Sequence, residues 1–276
     1  MLQMAEMQAD SQTRAFVPRT PTCRFFYKYS NADHLEWLRD ILINHQVYFP
    51  SHVQLNDPRD GWPALRTIPL AEIVAFLVND FIRRNPGAAP AWLADEVARI
   101  VTFSEGRGAV SVLRLMEDSL KREMERNRIY SLSMAADDKH MWETYGGRHT
   151  GYCLEFVNEG LFAYAREVDY DDALIEMDVG DPTGMFFFRK TQKWKDEREA
   201  RIVMLPRADA FRAMFPNGEN PFVKFEPSLL RHVILGARMT AASREMIRAW
   251  AVERNPPVPV EVAGVQESVA PVQPAG

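Results

Sequence analysis

The sequence predicts an α+β fold: a mixed, mostly antiparallel central sheet, continuous or split, carrying an inserted helical subdomain. Three observations point there. Short apolar or alternating runs recur near 24–29, 46–49, 128–133, 151–157, 199–205 and 231–235, the length and pattern of strands. Helical periodicity fills the block between 70 and 127 instead. Strands and helices follow one another without a regular βαβ period, which argues against a doubly wound parallel sheet. At 276 residues and 46% hydrophobic, the chain is long enough to bury one large core.

Taken in order, residues 1–20 lack periodicity and run into Pro18 and Pro21, so they read as a flexible leader. The domain proper is expected over 21–264. Cys23 to Tyr29 is aromatic-rich and reads as a strand. Asn31 or Asp33 can cap a helix carrying Leu35, Leu38, Ile41 and Leu42 at helical spacing. Gln46–Phe49 is a short strand, and Asn56-Asp57-Pro58 marks a loop whose side chains satisfy nearby amides. Helices are expected over 70–85, 90–103 and 109–127, broken at Pro86-Gly87 and Gly106-Arg107-Gly108. Strand signals return at 128–134, 151–157 and 165–170, with a short helix at 139–145 and another at 183–191. Strands follow at 199–205, 221–225 and 231–235, then a helix over 240–253 and an edge strand near 258–263. Residues 265–276 read as a disordered tail.

Composition narrows the function classes. A net charge of −5 gives no global basic field for nonspecific nucleic-acid binding. Cys23 and Cys153 fit neither a zinc spacing nor a disulfide framework, and read as buried thiols in a reducing, cytoplasmic setting. No apolar run approaches the roughly 18–20 residues of a membrane span, and the N-terminus lacks the basic start of a signal peptide. No membrane partner is expected. There is no GxGxxG and no GxxxxGK[ST], no HExxH around His140 or His149, and no GxSxG elbow. No metal ligands are assigned.

The densest chemistry lies in Lys193-Trp194-Lys195-Asp196-Glu197-Arg198-Glu199-Ala200-Arg201, which precedes the apolar run 202–205. If this is a strand, Glu197, Glu199 and Arg201 share one face. Two carboxylates at that spacing raise one another's pKa while the arginine lowers it. The plain structural alternative is a solvated strand edge whose acids pair with Arg198 and Arg201.

Four blocks in this order, FYKY at 26–29, FPSHVQLNDPRD at 49–60, SLSMAADDKHMWETYGGRHTGYCLEF at 131–156 and KTQKWKDEREARIV at 190–203, resemble the bacterial family called domain of unknown function 2971. The resemblance covers about residues 23–240 and implies no activity. A more remote likeness is to the ADP-ribosyltransferase superfamily, split-sheet α+β enzymes that grip NAD with an aromatic or basic first strand, a Ser strand and a late Glu-x-Glu strand. Here the matching order is Tyr27-Lys28-Tyr29, Ser131-Leu132-Ser133 and Glu197-Arg198-Glu199. The usual first-strand His or Arg is replaced by Tyr27 and Lys28.

That likeness implies a catalytic set of Glu199, Glu197 and Ser133. Glu199 would stabilise an oxocarbenium-like centre and Glu197 would orient or deprotonate the acceptor. It also implies NAD held by Tyr27, Lys28, Trp142, Tyr145 and Arg201, with Lys28 on the pyrophosphate and Trp142 or Tyr145 stacked on a ring. The partners would be a small-molecule nucleotide and a protein or nucleic-acid acceptor, as for a toxin or phage-defence effector. Two other classes remain open. One is a metal-dependent nucleic-acid hydrolase using Asp57, Asp60, Glu197 and Glu199. The other is a non-catalytic recognition domain in which Trp142 and Tyr145 merely anchor a helix on the sheet.

Overall fold

A computed structural model describes residues 18–55, 64–65, 67–172, 176–177, 185–204 and 220–264. The Asn56-Asp57-Pro58 loop, Asp60, the greater part of the leader and the tail lie outside the described residues.

The main sheet has seven strands: β1 (Phe25–Ser30), β4 (Arg128–Ser133), β5 (Tyr152–Val157), β6 (Arg166–Glu167), β10 (Glu199–Met204), β12 (Leu230–Leu235) and β13 (Val260–Val262). Their order across the sheet is β13-β12-β5-β1-β4-β10-β6. Every pairing is antiparallel except β12 with β13. The fold is therefore α+β with a mixed, mostly antiparallel sheet, as the sequence predicts. Smaller strand pairs join β2 (Gln46–Tyr48) to β11 (Phe222–Lys224), β3 (Ala64–Leu65) to β8 (Glu176–Met177), and β7 (Asp169–Tyr170) to β9 (Arg189–Lys190).

Strand alternation sorts the two faces of the sheet. One face carries Phe26, Tyr130, Leu132, Leu154, Phe156, Ala200, Ile202, Val233 and Leu235. Against it pack Leu38 and Leu42 of α1 (Leu35–Asn44) and Ile247 and Ala251 of α5 (Ala241–Glu253). This is the principal core, where each fully buried large side chain contributes about 1.5–3 kcal/mol. The other face carries Tyr27, Tyr29 and Cys153 under the short helix α4 (Lys139–Thr144), which supplies Met141 and Trp142. Asp138 caps α4 by accepting from the Met141 amide at 3.1 Å.

Between the early and late strands lie α2 (Leu70–Arg84) and α3 (Pro90–Met124). Gly108, at φ 76 and ψ 162, interrupts α3 where the sequence signals a break. The two helices close on each other through Ile73, Val112 and Leu113.

Three local expectations are corrected. The 46–49 run, expected in the central sheet, forms β2 but pairs with β11 in a separate two-stranded sheet. Residues 165–170 do not form one strand: β6 pairs with β10, Val168 gives its amide to the Glu199 carbonyl, and β7 turns away to pair with β9. No α-helix forms over the described part of 183–191, which is a 3-10 turn at Met185–Phe188 followed by β9. Phe187 is fully buried against Ile129, and this anchoring outweighs the apolar run's helical spacing.

Candidate functional site

Register brings the three predicted motif strands together. Tyr27 on β1 is paired with Ser133 on β4, and Ser133 with Glu199 on β10. Three residues separated by up to 172 positions thus form one cross-strand row on the α4 face of the sheet. The row continues outward, since Tyr27 pairs with Glu155 and Glu155 with His232. The Tyr27 hydroxyl donates to the Glu155 carboxylate, and His232 Nδ1 lies 2.9 Å from the same group. Burial, followed by the Glu155 charge and hydrogen bond, pushes the Tyr27 hydroxyl up to about 12.

Glu199 and Arg201 lie two apart on β10 and share its face, as alternation requires. Glu197 does not belong to that strand. It ends a 3-10 turn over Gln192–Glu197, and Arg198, left-handed at φ 44 and ψ 53, swings the chain into β10. The Arg198 carbonyl accepts from the Met134 amide at 2.9 Å, which anchors this turn to β4. Glu197 reaches the same cluster by this turn rather than by strand periodicity.

The cluster is a closed ionic network. Arg201 grips Glu199 through Nε to Oε1 at 2.6 Å and Nη2 to Oε2 at 2.9 Å, and its Nη1 donates to the Phe187 carbonyl at 2.8 Å. Lys190 Nζ bridges Glu197 Oε2 at 2.5 Å and Glu199 Oε2 at 3.1 Å. The Tyr145 hydroxyl donates to Glu197 Oε1 at 2.5 Å. Tyr170 presents its hydroxyl oxygen to the Glu199 amide at 2.7 Å. Glu197 is 3%, Glu199 5% and Arg201 0% exposed, so the solvated strand edge is not what forms. β10 is flanked by β4 and β6, which removes it from the edge.

Burial alone would raise the Glu199 carboxyl. The Arg201 and Lys190 charges, with hydrogen bonds from Arg201 and Ser131, outweigh it and bring the group down to about 2. Glu199 is therefore an anion throughout the neutral range.

The remaining expected residues take these places. Ser133 Oγ donates to the Glu197 carbonyl at 2.8 Å and accepts from the Ala135 amide at 3.1 Å, so it pins the Glu197 turn. Lys28 alternates to the opposite face from Tyr27, where its ammonium stands 4.9 Å from the Tyr130 ring centre and donates to the Ser131 carbonyl at 2.9 Å. Desolvation lowers it to about 8, against the upward pull of Glu199 and then Glu197. Trp142 is 1% exposed. It meets Tyr29 edge-on at 5.2 Å and stacks on His149 at 5.2 Å, and its indole N–H points to Asp137 at 3.3 Å. It is the anchor of α4 on the sheet, and its ring is taken up by protein. Tyr145 is half-buried and faces Glu197.

Lys190 and Tyr170 are the members the sequence did not single out for the site. In the sequence Lys190 makes a local basic spot with Lys193 and Lys195. The signal for it was its place at the head of the same block as Glu197 and Glu199. Tyr170 carried no signal at all, because its position depends on β7 pairing with β9.

Among the described residues, no group of three or more His, Cys, Asp or Glu side chains is placed to hold a metal ion, and Asp57 and Asp60 lie outside them. No described helix is long and apolar enough to cross a membrane. Comparison with family models, curated proteins and solved structures returned no match.

Proposed function

We propose that this chain is an NAD-consuming enzyme of the ADP-ribosyltransferase type, with the Tyr27–Ser133–Glu199 row as its centre. The observation that carries this reading is the shared register of the three motif strands. Cleavage of a nicotinamide–ribose bond needs a fixed anion beside a developing positive centre. The Arg201 fork and Lys190 keep Glu199 ionised and hold its orientation, which is the preorganisation such a step requires. Glu197, joined to Tyr145 and Lys190, would serve the acceptor, a protein or nucleic acid. Tyr145, half-buried on the α4 face beside Glu197, would contact NAD, whereas Lys28 stands on the opposite face of the sheet and would not. On this reading the likeness to domain of unknown function 2971 describes the same four blocks.

A second reading is favoured by the burial of the network. With Glu197 and Glu199 almost fully enclosed and each bonded to a cation, the cluster also suits a non-catalytic recognition domain stapled by a polar hub.

The test is nicotinamide release from labelled NAD, normalised to folded protein, with and without divalent metal. The transferase reading expects release by the wild type and a loss on the order of a hundredfold in Glu199→Gln. Glu197→Gln should impair transfer more than hydrolysis. No release by the wild type refutes the transferase reading and, without nicking of nucleic acid, leaves the recognition domain. Metal-dependent nicking of nucleic acid without nicotinamide release would point to the hydrolase instead.

A further inference from the structure

The α2–α3 pair carries an open, groove-like cavity of about 520 Å³ that the sheet-centred site does not use. Its apolar walls are Leu77 and Phe81 from α2 and Ile100 and Phe103 from α3. A volume of several hundred cubic ångström is that of a small-molecule site. Ser104 also lines it, is 0% exposed, and its hydroxyl has no hydrogen-bond partner. A buried hydroxyl without a partner is costly, and packing alone would be better served there by an apolar side chain. Such a group is expected where a ligand supplies the missing polar atom.

The rim sets the sign of that ligand. Arg84 and Arg99 line the cavity. Arg83 and Arg84 both pair with Asp80, Arg99 pairs with Glu96, and Arg107 lies over the Phe103 ring at 4.2 Å. Among the lining residues Arg84 and Arg99 stand against one carboxylate, Asp80, so the lining carries one net positive charge. Phe103 and Trp92 are each nearly half exposed beside it, an apolar surface where the carbon chain of a guest can continue.

We propose that this cavity binds an amphipathic carboxylic acid of fatty-acyl type. Its chain lies between Phe81, Ile100 and Phe103, and its carboxylate accepts from the Ser104 hydroxyl and meets Arg84 and Arg99. The site is separate from the Glu199 network, so its occupancy can be measured without any turnover.

The probe is decanoate, titrated calorimetrically into the full chain below its micelle concentration, with decanol and decylamine as controls of equal chain length. Saturable binding of decanoate is expected, with decanol at least tenfold weaker and decylamine weaker still. The double variant Arg84→Glu, Arg99→Glu changes only exposed side chains and should weaken decanoate at least tenfold. Ser104→Leu, which fills the cavity, should abolish binding while the circular dichroism stays that of the wild type. Absence of saturable binding by the wild type overturns the proposal. So does decanoate affinity unchanged in the arginine variant, or decylamine binding as tightly as decanoate.

Discussion

Replacing Glu199 by glutamine should destabilise the protein by about 3–5 kcal/mol, the cost of breaking a buried ion pair from one side. Glutamine keeps the size and part of the hydrogen bonding but removes the charge. Arg201 then loses the carboxylate it grips at 2.6 and 2.9 Å, and Lys190 loses the one it meets at 3.1 Å. The direction of the titration shift agrees. The carboxyl falls from 4.5 to about 2 in the folded protein, which amounts to roughly 3 kcal/mol of stability held by the ionised form. A glutamate on a solvated strand edge, as the sequence alone allows, would contribute only about 0–1 kcal/mol. The assay is urea unfolding of wild type and Glu199→Gln followed by circular dichroism. Because the folded pKa is depressed, the wild type's advantage is complete above about pH 4.5 and fades as pH falls toward 2. A gap under about 1 kcal/mol at pH 7 would refute the reasoning, as would a gap that stays constant from pH 6 to 3.

The strands were legible because their patterns are local. Alternation in β1, β4, β5 and β10 follows from which side chains must enter the core, and each strand begins within two residues of its expected place. The row of Tyr27, Ser133 and Glu199 was legible only as an ordered set of motifs, since register between distant strands leaves no mark in a single strand's pattern. Glu197 was grouped with the right neighbours for the wrong reason. Periodicity put it on β10, whereas a left-handed Arg198 and the Ser133 hydrogen bond deliver it from a turn. Burial of the network was the least legible feature. A run of seven charged residues in nine reads as solvent-facing, and it takes β6, β9 and the Phe187 turn, all short and weakly patterned, to cover it. Helix strength was overestimated at 183–191 for the same reason, because tertiary anchoring at Phe187 decides that segment.

Two further substitutions test the frame around the site. Gly151→Ala should cost at or above the upper end of the about 1–3 kcal/mol typical of overpacking, because the added methyl would overlap the Ser30 carbonyl oxygen, which is backbone and cannot step aside; a wild-type urea midpoint would refute this. Lys28→Met addresses the seam between β1 and β4. Desolvation lowers the Lys28 ammonium from 10.5 to about 8, so the folded chain releases that proton before the unfolded chain does. Between about pH 8 and 10.5 the unfolded state binds more protons, and this group therefore makes the wild type more stable as pH rises. Methionine cannot titrate and lacks that rise. The stability of Lys28→Met relative to wild type, read from urea midpoints, should accordingly be level between pH 6 and 7 and decline across pH 8 to 10.5. Parallel curves through that window would mean that the ammonium is as well solvated in the fold as in the unfolded chain, and its burial at the seam would have to be abandoned.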